Sequence, residues 1–193
     1  MHYVTLSPPG EKCGLGALTR QAAVQDALQQ IYNYRKLSDR LATAGQPGEA
    51  QFGSIARAGF DVVINLGLLD TEYALPDEAA LVNALGLAYE HVPVSWECPQ
   101  SADLERFFGL MARYAGKKVF VHCAANMRVS VFVALHRILE QGWRRQQAMS
   151  DVLAIWEPDH TWQAFIEAAL AQRPTADPLH DSAPDSDATK IKG

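Results

Sequence analysis

Cysteine is scarce in this chain, and what there is follows no paired pattern. Cys13, Cys98 and Cys123 are odd in number and far apart among 193 residues, with no Cys-x-x-Cys pair. That excludes a disulfide framework and gives no zinc-ligand spacing; if one of the three acts, it acts as a thiol. Positive charge is also in deficit. Against 22 Asp and Glu there are 17 Lys and Arg, for a formal net charge of -5, so nucleic-acid binding is not the main business, although a local pocket for a small anion fits that balance. No run approaches the ~20 apolar residues of a membrane-spanning helix. Met1 to Gly16 mixes His2, Pro8, Pro9, Glu11 and Lys12 with one short apolar run, unlike a secretory signal, and a cytoplasmic location is expected.

What is present is ordinary for a globular domain: 48% hydrophobic and 20% charged residues, at a length that suits one core. From about Arg173 the composition changes, with Pro174, Pro178 and Pro184 set among Asp, Ser and Ala. The expectation is one domain over 1–173 and a disordered acidic tail over 174–193.

Inside the domain two periodicities alternate. Helical spacing predicts helices over Leu18–Ile31, Gly48–Ala58, Asp77–Leu85, Ser101–Ala115 with Ser101 as N-cap, Val129–Gln141, Gln146–Trp156 and Thr161–Ala171. Short β-branched or extended runs predict three strands, Asp61–Leu66, Tyr89–Val94 and Lys118–His122. Strands alternating with helices in this way predict an α/β fold, a central mainly parallel sheet flanked by helices.

The informative segment is KKVFVHCAANMRVSVFVALHRI, Lys117 to Ile138. A buried strand ends at His122, a small-residue loop follows, and a long helix begins near Arg128. The carboxyl end of a strand entering a helix is where α/β sheets bind anions, because the helix N-terminus offers unpaired N–H groups and partial positive charge. Cys123 stands at that junction, which favours the thiolate, its nucleophilic form. The backbone around Ala124, Ala125, Asn126, Met127 and Val129 could face an oxyanion, and Arg128 offers a planar fork suited to clasping one.

The order His122, Cys123, Arg128, Ser130 after a VFV strand resembles the phosphate-binding loop of the cysteine-dependent tyrosine and dual-specificity phosphatases. LATAGQPGEAQFGSIARAGFDVVINLGLLD, Leu41 to Asp70, is similar to the opening of their small bacterial members, so the likeness runs over roughly Leu37 to Phe165. The resemblance implies a phosphatase-like fold and hydrolysis of a phosphomonoester, on a phosphorylated protein or a small phosphate ester. Cys123 would attack phosphorus, a phosphocysteine would form while the loop and Arg128 hold the oxygens, and water would release phosphate. It implies no metal and no cofactor. His122 would steady the thiolate by hydrogen bonding to the loop, and Ser130 could donate to the sulfur or serve as a hydroxyl at the helix start.

The chain departs from the pattern in three places. Arg128 lies five residues after Cys123, one position earlier than in the usual loop, and Val129 takes the usual arginine position. One helical position is a rotation of about 100°, so the loop must be rebuilt for Arg128 to reach the same anion. Asn126 replaces an expected glycine, and Asn is the residue after glycine most tolerant of positive φ. In VPVSWECP no Asp occupies the general acid's usual place; Glu97 is adjacent, with Asp103 and Asp159 as further candidates. The short loop also resembles that of rhodanese-like sulfurtransferases, which makes persulfide chemistry on Cys123 the alternative, beside a catalytically dead phosphoryl-binding module. Cys98 could pair with Cys123 in a protective disulfide, and Trp96, Trp156 and Trp162 could wall the pocket.

Overall fold

The computed structural model describes residues 13–172, with side chains from residue 21 onward. The expected tail over 174–193 and the side chain of Cys13 lie outside the described residues. Seven helices and five strands follow in the order α1 (Cys13–Gln29), β1 (Arg35–Lys36), β2 (Leu41–Ala44), α2 (Glu49–Arg57), β3 (Val62–Asn65), α3 (Glu78–Ala84), β4 (Ala88–His91), α4 (Ser101–Arg113), β5 (Val119–His122), α5 (Met127–Leu139), α6 (Arg145–Leu153) and α7 (His160–Gln172) among the described residues. The sheet order is β1-β2-β5-β3-β4, parallel throughout except for the β1–β2 pair. The expected α/β architecture is therefore present.

Alternation along the strands divides the core. Val62, Ile64, Val119 and Val121 face a layer built with Leu104 and Phe107 of α4, Phe132 and Leu135 of α5, and Trp162 of α7. Val63 and Phe120 point the other way, onto Leu28 of α1, Phe52 and Ile55 of α2 and Val82 of α3. Helix α5 is buried continuously from Arg128 to Leu135, as expected of a helix enclosed on all sides; it packs against α4, α6 and α7.

Two strands escaped the sequence reading. Leu41-Ala-Thr-Ala has little β propensity of its own, and it is a strand because it pairs with β5 from Leu41–Val119 to Ala44–His122. The two-residue edge strand β1 is a charged pair, Arg35 and Lys36. At α4 the N-cap is Gln100, and Ser101 is already helical.

Candidate functional site

Strand β5 is the middle of the sheet, and its carboxyl end sits between Ala44 of β2 and Asn65 of β3 in register with His122. Cys123 is the next residue and α5 starts at Met127, so only residues 123–126 connect strand to helix. The loop is tied down on its β2 side. Cys123 N–H donates to Ala44 O at 3.4 Å, Gln46 N–H to Ala124 O at 3.0 Å, and Asn33 Nδ2 to Ala125 O at 3.0 Å. Asn126 holds φ at +65°, the left-handed conformation that suits asparagine, and its Nδ2 donates to Asn33 O at 2.8 Å and Thr43 Oγ1 at 3.0 Å.

These bonds turn the amides the other way. In a planar trans peptide the Ala125 N–H points opposite the Ala124 carbonyl, away from β2. The N–H groups of Met127, Arg128 and Val129 fall in the first turn of α5, where no intrahelical acceptor exists; the helix ladder begins with Ser130 N–H to Asn126 O at 2.9 Å. Arg128 is 9% exposed and lies against the end of β3, with Nη1 donating to Leu66 O at 3.2 Å. Its Nε is buried and has no partner among the described residues, a donor that a bound oxyanion would satisfy. Cys123 itself is 1% exposed and its thiol is free.

Three side chains behave differently from expectation. His122 makes no loop hydrogen bond: its Nε2 lies 3.0 Å from Glu78 Oε1, because β5 ends beside the start of α3, and its Nδ1 has no partner. The Ser130 hydroxyl donates to Met127 O at 2.7 Å and accepts from Trp156 Nε1 at 3.2 Å, so its one proton goes to the backbone and not to sulfur. Glu97 is exposed; its bond is from Ser95 Oγ at 3.4 Å, and it lines a separate cavity with Cys98, Thr161 and Phe165. Asp159 caps α7 through Trp162 N–H at 3.0 Å. Asp103 belongs to the first turn of α4. Cys98 is also free, bonded by Gln100 Nε2 at 2.8 Å. Trp162 is wholly buried, and Trp96 and Trp156 pack on it with ring centres 5.4 and 6.1 Å away, which makes the three tryptophans one wall of the core under Ser130.

A cleft of about 700 Å³ opens over Ala124 and Ala125, lined by Tyr32, Gln46, Pro47, Glu72, Tyr73 and Leu75 among others. None of these residues is cationic. Tyr32 and Tyr73 are 63% and 62% exposed at its rim. Sequence reasoning passed over these residues, since they come from the α1–β1 turn, the β2–α2 connection and the long segment after β3, which share no motif. Glu72 is the acidic side chain in this cleft lining, and its hydrogen bond pushes the Tyr73 hydroxyl above the usual tyrosine value. No group of three or more His, Cys, Asp or Glu side chains that could hold a metal ion occurs among the described residues. Nor is any described helix long and apolar enough to cross a membrane.

No protein-family profile matches the chain, but individual proteins do. A DUF442 candidate phosphatase from Shewanella putrefaciens CN-32 is 37% identical, with a TM-score of 0.69 over 77% of this chain and 97% of that one. The Beta-lactamase hydrolase-like protein of Xylella fastidiosa Temecula1 is 32% identical over 114 residues, 58% of this chain and 26% of that protein. This chain thus spans about a quarter of the length of the curated relatives it matches. A form of P. aeruginosa TpbA crystallised with phosphotyrosine shares the fold, with a TM-score of 0.53 and 19% identity over 75% of this chain and 85% of that one.

Proposed function

This chain belongs to the DUF442 family of phosphatase-like proteins, and from that membership we propose that it is a cysteine-dependent phosphatase acting through a phosphocysteine. The observation that carries the reading is the meeting of Cys123, the first-turn amides of α5 and the unpartnered Arg128 Nε at the end of the central strand. A phosphoryl group seated there has Cys123 Sγ in line for attack. The Ala125, Met127, Arg128 and Val129 amides and the guanidinium face its equatorial oxygens as charge shifts in the transition state. Sulfur takes the phosphoryl group, the alcohol leaves with a proton, and water then attacks phosphorus and regenerates the thiolate.

Glu72 lines the cleft over Ala124 and Ala125 whereas Glu97 lines a separate cavity, so Glu72 is the better candidate to protonate a leaving oxygen that exits through that cleft. Glu72→Gln should slow alkyl phosphates far more than p-nitrophenyl phosphate, whose leaving group needs no acid, and Glu97→Gln should leave both unchanged. Cys123→Ser tests the whole reading: it should abolish p-nitrophenyl phosphate hydrolysis in a folded protein, and full retention would refute it. One observation favours a second reading, sulfur transfer: only residues 123–126 connect β5 to α5, with Arg128 five residues after Cys123. Thiosulfate-to-cyanide transfer faster than phosphate ester hydrolysis would establish that instead.

A further inference from the structure

Glu78 opens α3, yet it is 3% exposed and serves side chains from two strands and a loop. Its Oε1 faces His122 Nε2 of β5 at 3.0 Å and accepts from Asn65 Nδ2 of β3 at 2.9 Å; Oε2 accepts from Gln46 Nε2 at 2.5 Å. The Tyr89 hydroxyl of β4 joins the network through Asn65, accepting from its Nδ2 at 3.1 Å. Burial alone would push this carboxyl up, but the bonds and proximity of His122, with Gln46 and Tyr89, outweigh it and hold Glu78 below the usual glutamate value.

Each arm continues to the catalytic loop. His122 precedes Cys123 in the chain. Gln46 clasps Ala124 O with its own N–H at 3.0 Å. Asn65 Oδ1 accepts Gly67 N–H at 2.6 Å, and a Cβ on Gly67 would stand 3.8 Å from Cys123 Cα. Helix α3 in turn follows the 67–77 segment, whose residues line the cleft. The geometry points to Glu78 as a positioning residue that fixes the Cys123 loop in its oxyanion-ready shape through His122, Gln46 and Asn65. The assignment rests on the reading of that loop as an oxyanion site.

An ionised carboxylate can accept from all these donors at once. Glutamine of the same size has one acceptor oxygen, and its NH2 must face a donor, either Gln46 or the His122–Asn65 pair. Glu78→Gln therefore keeps volume and breaks at least one arm.

The test uses the full chain, Glu78→Gln, Gln46→Leu and the double variant. It reads tungstate affinity by calorimetry, the iodoacetamide alkylation rate of Cys123 by peptide mass spectrometry, and Tm. Glu78→Gln is expected to weaken tungstate binding about tenfold, the scale of one lost charge-assisted hydrogen bond, and to alter Cys123 alkylation. Gln46→Leu changes both in the same direction and to a smaller extent, and the double variant loses less than the sum. Gln46→Leu leaves the buried Glu78–His122 pair in place, so it decides the matter if Glu78→Gln does not fold. Lowered Tm with tungstate affinity and alkylation at wild-type values would overturn the proposal, leaving Glu78 a stability device. A wild type that binds no tungstate would overturn it too. Binding and alkylation need no turnover, so failure of phosphate ester hydrolysis alone counts against the enzymatic reading and not against Glu78.

Discussion

Replacing Gly45 by alanine strikes the site without touching any reacting group. A Cβ there would stand 2.7 Å from Ala124 O and 3.1 Å from both Tyr32 O and Tyr32 Cδ1. Against an optimal separation of ~3.5 Å the Ala124 contact is too close by about 0.8 Å. Two of the three neighbours are backbone, so relief must come from moving the 123–126 loop or the Tyr32 turn. Overpacking of this kind costs about 1–3 kcal/mol, which at this chain length lowers Tm by roughly 2–12 °C. The catalytic effect should exceed the stability effect. Ala124 shares its peptide with the Ala125 amide, and displacement approaching 1 Å in a positioning group costs about 100-fold in rate, roughly 2.7 kcal/mol of barrier. Steady-state hydrolysis of p-nitrophenyl phosphate beside thermal melting reads both. A Gly45→Ala protein with lowered Tm and kcat/KM within twofold of wild type would show that the loop's exact seat does not govern the chemistry, and would refute the reasoning.

The other predictions concern single side chains. Arg128→Lys keeps the charge but loses the fork and the bond to Leu66 O; kcat/KM should fall at least about 100-fold with little change in Tm. Asn126→Gly should melt higher than Asn126→Ala, since both lose the bonds to Asn33 O and Thr43 Oγ1 but only alanine at φ +65° bears about 1–2 kcal/mol of left-handed strain. Glu78 is held below its ordinary value of 4.5. Its contribution to stability is therefore present above about that pH and lost as pH falls through the lower folded value. Urea midpoints of wild type and Glu78→Gln should accordingly converge on acidification, and a constant gap down to pH 2 would contradict this.

Much of the candidate site was legible because its residues are consecutive in sequence. A VFV strand, a cysteine, four small or slender residues and an arginine at a helix start are consecutive, so the strand–loop–helix reading placed Cys123, Arg128 and the amides together. Asn126 was legible as well, since tolerance of positive φ is a property of the residue itself. What was not legible comes from distant segments. Glu78 went unnoticed inside the predicted Asp77–Leu85 helix, and only the tertiary fold brings it against His122. Nothing in the spacing of Tyr32, Gln46, Glu72 and Tyr73 shows that they share a cleft. Strand β2 was missed for a related reason: Ala and Thr make a strand there only because β5 lies alongside. The roles of Ser130 and Asp159 went to nearby backbone groups, which outcompete a remote sulfur or substrate for a short polar side chain.

The most direct measurement is rapid-quench mass spectrometry of the wild type during turnover of p-nitrophenyl phosphate, with peptide mapping under conditions that preserve thiophosphate esters. The expected result is a phosphoryl group on Cys123, formed before phosphate appears in solution and absent from Cys123→Ser. Hydrolysis with no phosphoryl group on Cys123, or with the group on another residue, would contradict it.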